Sequence, residues 1–327
     1  MPELAPDMHQ TQTLAEPGKM PVTVVGLGKM GARIGAKLVR DGFTVYGWDE
    51  NPAAREVAVG VGVLVPKTLE EAVGAQTQDG ERVVWHMLPA GLTKEGLVGT
   101  SEFLSEGDIA IDGGNSRYTE TERHAYMLGD LGLRFLGIGV SGGVKAGETG
   151  YPLMVGGDKT AYEHVTPILD SLAKPKGGHE YFGPGGAGHY VKMVHNGIEY
   201  PIMQAMGEGF GVLKASEYGL DIAKVAELFR KNTLVAGFMM DITAEALRGD
   251  VELSLYSGEI GSASGEALWT VEEAARLGVP TESIEQAIDF RRRSGNDPAV
   301  SGSFAAKVVA AQRATFGGHN QERMYIA

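Results

Sequence analysis

The feature that most constrains the fold of this chain is a glycine-rich turn, GLGKMG at residues 26–31, directly after the β-branched run VTVV at 22–25. An amphipathic stretch follows it, so the order is strand, turn and helix. In a dinucleotide-binding turn, Gly26 allows the tight turn, Gly28 lets the backbone approach a pyrophosphate at the helix N-terminus, and Gly31 lets the helix pack on the strand. The chain has 48 glycines, so this pattern needs support from elsewhere in the sequence.

That support comes from the second predicted strand, residues 43–48, which ends at Asp49 and Glu50. A carboxylate about twenty residues beyond the glycines accepts hydrogen bonds from the adenosine ribose hydroxyls. No Lys or Arg follows before Arg55, and two acids repel a 2′-phosphate. We therefore expect NAD as the cofactor, with NADP less preferred.

Further β-branched runs alternate with amphipathic stretches and predict a Rossmann domain with a doubly wound, mostly parallel sheet. Polar or glycine-rich loops follow these strands, at the edge of the sheet where ligands of such folds bind. The predicted cofactor-binding residues are Gly26, Leu27, Gly28, Lys29, Met30, Gly31, Asp49, Glu50, Leu88, Pro89, Ala90 and Asn115. Ser141, Gly142 and Gly143 lie in the last of these loops.

The strand signal fades after Tyr181, and a glycine-rich segment at 183–188 precedes a long helical pattern. We expect an all-α C-terminal domain. Its predicted helices cover residues 189–217, 221–231, 234–248, 264–277, 281–294 and 301–315. The predicted organisation is a disordered tail at 1–20, the Rossmann domain at 21–184, the helical domain at 185–315 and a C-terminal tail at 316–327.

Composition narrows the possible functions. The formal net charge of the 327 residues is −13, which argues against a nucleic-acid groove. The absence of Cys excludes disulfides and thiolate metal sites. No apolar run is long enough to span a bilayer, and the first residues do not read as a signal peptide. We expect a cytoplasmic protein that contacts neither nucleic acid nor membrane.

One helix face carries an unusual set of polar groups. Lys192, His195, Asn196, Glu199 and Tyr200 follow each other at helical spacing and share one face. The other positions of this helix are mostly apolar, which predicts burial on most sides. Buried polar groups must find partners or serve a function, so this face is a candidate reaction site.

These motifs resemble, in order, those of the decarboxylating 6-phosphogluconate dehydrogenases, a family within the β-hydroxyacid dehydrogenases. The resemblance covers nearly everything after residue 20 and fits the short form of the family. It rests on VVGLGKMG at 24–31, IDGGNS at 111–116, VSGG at 140–143, GHYVKMVHNGIEY at 188–200, and Gln312-Arg313 followed by FGGH at 316–319.

The resemblance implies oxidation and decarboxylation of 6-phospho-D-gluconate to D-ribulose 5-phosphate and CO2, a step of the pentose phosphate pathway, without a metal. It implies that Lys192 is the general base at the C3 hydroxyl and that Glu199 is the acid that protonates C1 of the enediol. The implied substrate-binding residues are Asn115, Ser141, Gly142, Gly143, His195 and Asn196, with Tyr200, Arg291, Arg313 and His319 at the phosphate.

In the family, the C-terminal Arg and His serve the neighbouring subunit, so the resemblance implies a homodimer or homotetramer in which Arg313 and His319 act across subunits. The chain departs from the family pattern at two places. Ser264 and Glu266 stand in the segment where longer members have KGTGKWT, which removes cations from a phosphate-binding segment. Asp49 and Glu50 stand where NADP-using members have Asn and Arg, which agrees with NAD.

Two other functions remain open from the sequence. A non-decarboxylating β-hydroxyacid dehydrogenase of the 3-hydroxyisobutyrate type shares Lys192 and Asn196, but it needs neither Glu199 nor the phosphate-binding arginines. A non-catalytic dinucleotide sensor on the same fold would not need Lys192. The presence of Lys192, Glu199 and Arg291 favours the decarboxylating enzyme.

Overall fold

The computed structural model describes residues 19–76, 80–261 and 265–317, and a seven-stranded sheet organises the first half of them. The strands are β1 (Val22–Val25), β2 (Val45–Trp48), β3 (Val83–His86), β4 (Ile109–Asp112), β5 (Arg134–Val140), β6 (Pro152–Gly157) and β7 (Gly178–Gly183). Their order is β2-β1-β3-β4-β5-β6-β7, and every neighbouring pair is parallel except β5 and β6. The predicted doubly wound, mostly parallel sheet is therefore confirmed.

The sequence analysis did not identify β6 and β7. The segment between β5 and β6, residues 141–151, holds only a 3-10 turn and a single helical turn. A parallel crossover needs about a dozen residues or more, usually including a full helix. The short connection therefore returns the chain antiparallel, with Gly137 of β5 opposite Gly156 of β6.

The helices cover the sheet and then form the second half. They are α1 (Lys29–Arg40), α2 (Pro52–Gly60), α3 (Leu69–Gly74), α4 (Ala90–Ser101), α5 (Tyr118–Gly129), α6 (Ala146–Thr149), α7 (Lys159–Ala173), α8 (Ala187–Ala215), α9 (Ile222–Phe229), α10 (Phe238–Gly249), α11 (Glu266–Leu277), α12 (Glu282–Ser294), α13 (Pro298–Ser301) and α14 (Phe304–Gly317). In the described part of the chain beyond Gly183, every regular element is a helix.

One expectation about the C-terminus is wrong. Phe316 and Gly317 belong to α14 and not to an extended tail. The backbone carbonyl of Phe316 lies close to Gly143, where a side chain would prevent the approach. The remaining tail residues, like the tail predicted at 1–18, lie outside the described residues.

Helix α8 connects the two halves. At its start, a Cβ on Gly188 would overlap the carbonyl oxygens of Gly137 and Met154, so glycine is needed for the helix to lie on β5 and β6. Further along, α8 packs against α11, α12 and α14. Pro201 lies inside α8 and cannot donate the helical hydrogen bond to the carbonyl of Gly197. No helix in the described segments is long and apolar enough to cross a membrane.

Candidate active site

A cleft of about 2190 Å³ runs from the glycine-rich turn to α8. One wall comes from loops at the carboxyl ends of the parallel strands, where ligands of such sheets bind. The other wall comes from α8 and the segment before α10. The predicted site residues that line it are Gly26, Gly28, Lys29, Met30, Gly31, Asp49, Glu50, Leu88, Pro89, Ala90, Asn115, Ser141, Gly142, Gly143, Lys192, His195, Asn196 and Glu199.

The glycine-rich turn has the geometry that a pyrophosphate requires. Gly26 has a φ of +91°, which a residue with a side chain rarely adopts, and a Cβ on Gly31 would clash with the carbonyl oxygen of Gly26. In contrast, a Cβ on Gly28 would meet nothing within 4 Å. The turn is thus closely packed at Gly31 and open at Gly28. Gly28 is the N-cap of α1, so the helix N–H groups beside it can bind an anion.

Asp49 is fixed by the turn that it faces. One carboxylate oxygen accepts the backbone N–H of Leu27 at 2.6 Å, and the other accepts that of Asn51 at 2.8 Å. Each oxygen keeps acceptor capacity for a ligand hydroxyl. Leu27, which we expected to bind the cofactor, is buried and is not among the residues that line the cleft. Its backbone N–H is donated to Asp49.

Lys192 is the most buried charged group on the cleft wall, with 8% of its surface exposed. Its side chain begins directly over β5, since a Cβ on Gly139 would clash with Cβ of Lys192. Burial lowers the pKa of Lys192, while the nearby carboxylates of Glu199 and Glu266 raise it. A lysine with a lowered pKa is more readily neutral and can accept a proton.

Glu199 shows the opposite shift. Burial raises its pKa, and Glu266 adds to the effect, whereas Lys192, His195 and Arg291 lower it. His195 connects this carboxyl to the sheet: its Nδ1 lies 3.9 Å from Glu199 Oε2, and its Nε2 lies 3.5 Å from the Ser141 hydroxyl. The cleft thus brings together a lysine with a lowered pKa and a carboxyl group with a raised one, a combination that suits acid–base chemistry.

Beyond Glu199, two arginines surround Tyr200. The guanidinium carbon of Arg291 lies 3.5 Å from the centre of the Tyr200 ring. Burial lowers the pKa of Arg291 to about 10, so the group stays charged near neutral pH. Tyr200, Arg291 and Arg313 are not among the residues that line the cleft.

Arg313 lies near the candidate site of its own chain, because α14 packs along α8. Its charge lowers the pKa of Tyr200, and the carboxylate of Glu199 raises the pKa of Arg313, which burial lowers. The expected contribution of Arg313 to a neighbouring subunit stays a prediction. His319, its expected companion, and Ser264 lie outside the described residues.

The predicted burial of α8 on most sides is wrong for an exposed strip formed by Ile198 and Ile202. Ile198 and Ile202 have 53% and 41% of their surfaces exposed, although both also border the cleft. The apolar pattern of α8 was therefore a poor guide to burial within the single chain.

The sequence analysis missed part of the cleft wall. Residues 236–239 and Asp241, around the start of α10, line the cleft opposite the sheet. A break at Gly237, whose φ is +143°, was the available signal. Within the described ranges, no group of three or more His, Asp or Glu side chains could hold a metal ion.

A dinucleotide-type turn that shares a cleft with a helical half defines the class of this protein, a two-domain nicotinamide-dependent dehydrogenase. Family models agree with both halves. The NAD binding domain of 6-phosphogluconate dehydrogenase matches residues 21–186, and the 6-phosphogluconate dehydrogenase C-terminal domain matches residues 188–307. The chain belongs to the 6-phosphogluconate dehydrogenase family, which confirms the predicted oxidoreductase class.

Individual relatives are similar over most of the chain. YqeC of Bacillus subtilis is 38% identical over 93% of this chain and 100% of its own. The NAD(+)-dependent, decarboxylating 6-phosphogluconate dehydrogenase of Haloferax volcanii is 33% identical over 93% of this chain and 99% of its own. The solved 6-phosphogluconate dehydrogenase of Plasmodium falciparum, described with NADP+ and with 6-phosphogluconate, has a TM-score of 0.75 and 30% identity over 84% of this chain and 62% of that chain.

Proposed function

We propose that this chain oxidises 6-phospho-D-gluconate at C3 and releases its carboxylate as CO2 to give D-ribulose 5-phosphate, the reaction of the pentose phosphate pathway. NAD is the preferred hydride acceptor. The observation that carries the proposal is the placement of buried Lys192 and half-buried Glu199 on one face of α8, at the cleft, with the Arg291–Tyr200 pair next to Glu199.

The residues at the other end of the cleft fit a dinucleotide. The open space at Gly28 and the N-terminus of α1 suit a pyrophosphate, and the free acceptor capacity of Asp49 suits ribose hydroxyls. Glu50 also lines the cleft and disfavours a 2′-phosphate. The cofactor supplies one thing, a nicotinamide ring that accepts hydride.

The proton steps follow from the two pKa shifts. Lys192 in its neutral form takes the proton of the C3 hydroxyl as hydride leaves C3. The resulting ammonium then donates to the C3 carbonyl oxygen while the bond to the carboxylate breaks, so the electron pair is held in an enediol. Glu199 protonates the carbon that lost CO2, which is C1 of the product, and Lys192 takes back the hydroxyl proton as the ketone forms.

Binding of the sugar acid is assigned to groups beside these two. Ser141, His195 and Asn196 offer hydrogen bonds along the cleft, and Nδ1 of His195 lies 2.9 Å from the side-chain oxygen of Asn196. The phosphate is assigned to Arg291, Arg313 and Tyr200, which are half-buried or buried and therefore hold an anion with little screening by water. His319 is retained as a further proposed phosphate ligand.

We further propose that the enzyme works as a homodimer or homotetramer. The exposed strip of Ile198 and Ile202 borders the cleft and gives an apolar surface that a second copy can cover. The contribution of Arg313 and His319 to the site of a neighbouring subunit stays part of this proposal.

One assay tests substrate, reaction and cofactor. Purified protein is given 6-phosphogluconate with NAD or NADP, and nucleotide reduction and trapped CO2 are measured together. We expect CO2 and reduced nucleotide in equal amounts, with the higher kcat/KM for NAD. Reduction without CO2 would favour the non-decarboxylating dehydrogenase, and binding of nucleotide without any turnover would favour the sensor.

A further inference from the structure

Glu266 is a half-buried acid close to the reaction centre, and the proposed reaction does not use it. It is the first residue of α11, after Gly265, whose φ is +101°. Its Oε1 atom is buried and has no hydrogen-bond partner within the described residues. A buried carboxylate oxygen without a partner is costly, so its position calls for an explanation.

The first turn of α11, which begins at Glu266, is held against α8. The Thr270 hydroxyl lies 2.8 Å from the carbonyl oxygen of Met193 in α8 and 2.8 Å from that of Glu266. One donor thus ties the first turn of α11 to the residue that follows Lys192. The two helices meet closely, because a Cβ on Gly197 would lie only 2.8 Å from the Thr270 methyl group.

From this position the Glu266 carboxylate acts on four groups of α8. It raises the pKa of Lys192 and of Glu199, and it also acts on Tyr200 and His189. Charged groups of other elements face the same set. They are Arg291 of α12 and Arg313 of α14, which face Glu199 and Tyr200, and Asp112 of β4, which faces His189.

We propose that Glu266 is a positioning residue of the reaction centre, whose negative charge keeps a proton on the Lys192–Glu199 pair. This inference rests on the proposed function. Loss of the carboxylate needs a protonated Lys192, and protonation of C1 needs a protonated Glu199. An anion beside both groups favours both protonated forms.

The test compares the pH dependence of kcat/KM for 6-phosphogluconate in four proteins: wild type, Glu266→Gln, Glu266→Asp and Glu272→Gln. Glu272 is a matched control, since it lies on the same helix but is exposed and pairs with Arg117. For Glu266→Gln we expect both limbs of the profile to move to lower pH. We also expect kcat at the optimum to fall about tenfold, less than for loss of an acid or base itself.

Glu266→Asp keeps the charge, so its limbs should stay near those of wild type, as should those of Glu272→Gln. If the Glu266→Gln profile has the wild-type pH positions and is only lower in height, Glu266 is merely structural and the proposal is overturned. If Glu266→Gln does not fold, Glu266→Ser, which removes the charge with a smaller side chain, is read in the same way.

A second measurement does not depend on turnover. The Lys192 ammonium is titrated by NMR in protein labelled at the lysine side chains, with Lys192→Met used to assign its signal. Glu266→Gln should lower the pKa of Lys192, and an unchanged value would refute the inference even in an active enzyme. If wild type does not oxidise 6-phosphogluconate but the titration shifts as expected, the proposed substrate fails while the electrostatic coupling stands.

Discussion

The guanidinium of Arg291 stacks on the ring of Tyr200, with 3.5 Å between its central carbon and the ring centre. The pair joins α12 to the helix that carries Lys192, one residue beyond Glu199. Only 3% of Arg291 is exposed, so this cation is held at low solvent exposure beside the reaction centre. An aromatic face stabilises a guanidinium without neutralising it, which leaves the charge available to an anionic ligand.

Arg291→Met should therefore raise KM for 6-phosphogluconate at least tenfold (about 1.4 kcal/mol) with a smaller change in kcat. Arg291→Lys should have a KM close to that of Arg291→Met, because an ammonium does not reproduce the planar stacking of a guanidinium on the Tyr200 ring. Arg292→Met is the matched control, since Arg292 is the exposed neighbour on the same helix. Steady-state kinetics check this, and equal KM values for Arg291→Met and Arg292→Met would remove Arg291 from the phosphate site.

Lys192→Met should abolish hydride transfer while leaving NAD binding largely intact. The side chain reaches the cleft, but the glycine-rich turn that would bind the pyrophosphate lies at its other end. Loss of a general base typically costs about 100-fold or more in rate. Single-turnover absorbance measures the hydride step, and calorimetric titration measures NAD binding. Retained hydride transfer would assign the base to another residue.

Glu50→Arg should shift cofactor preference toward NADP. Glu50 is exposed at the cleft, whereas the oxygens of Asp49 accept backbone N–H groups from Leu27 and Asn51. Changing Glu50 alone thus adds a cation for the 2′-phosphate without disturbing the turn. The ratio of kcat/KM for NADP to that for NAD should rise about tenfold or more, and further with Asp49→Asn. A ratio that does not rise contradicts the assignment of this end of the cleft.

Gly139→Ala should impair the enzyme without touching any ligand. The added Cβ would clash with Cβ of Lys192, so α8 must move away from β5. Such overpacking costs about 1–3 kcal/mol, and we expect a lower midpoint in urea together with a lower kcat. Gly209→Ala is the control. Gly209 lies in α8, and a Cβ added there would meet nothing within 4 Å, so this variant should raise the free energy of unfolding by up to about 1 kcal/mol. Equal midpoints for both variants would contradict the close packing.

Stability should fall in acid because of a buried histidine in the sheet. His86 donates its Nδ1–H to the carbonyl oxygen of Ile111, and burial lowers its pKa to about 4. The histidine in the unfolded chain binds a proton below its ordinary pKa of 6.5, while the folded protein resists protonation, so stability is lost as pH falls from 6.5 toward 4. The loss is about 3 kcal/mol.

Urea unfolding measured at several pH values between these limits checks the slope. His86→Asn should be less stable near pH 7 but should show a flatter pH dependence. Burial also lowers the pKa of His189, so some slope remains in that variant. An unchanged slope in His86→Asn would assign the acid sensitivity elsewhere.

Much of the first half could be predicted from the sequence because its signals are local. The strand, the turn at 26–31 and α1 are consecutive, and the glycine spacing reflects contacts between neighbours in the chain. The same holds for the polar face of α8, whose residues share one side by helical periodicity alone. In contrast, the antiparallel direction of β6 follows from the short length of the connection after β5, residues 141–151. The residue types of that connection do not indicate the direction.

The rest of the candidate site depends on long-range packing, for which the sequence has no local signal. The position of Arg313 follows from how α14 lies along α8, and that of Glu266 from a hydroxyl shared between two helices. Glu266 is also a place where this chain departs from the family pattern. The exposure of Ile198 and Ile202 likewise cannot be read from an apolar pattern that suits a core and a subunit contact equally well.

The proline in α8 has a mechanical consequence. Because Pro201 cannot donate to the Gly197 carbonyl, the turn that carries Glu199 and Tyr200 lacks one of the bonds that stiffen the rest of the helix. The segment before it rests on the sheet, and the segment after it runs into the helical half. Bending α8 therefore costs least at this point. A change in the angle between the two halves would alter the distance from Lys192 to Arg291 and Arg313.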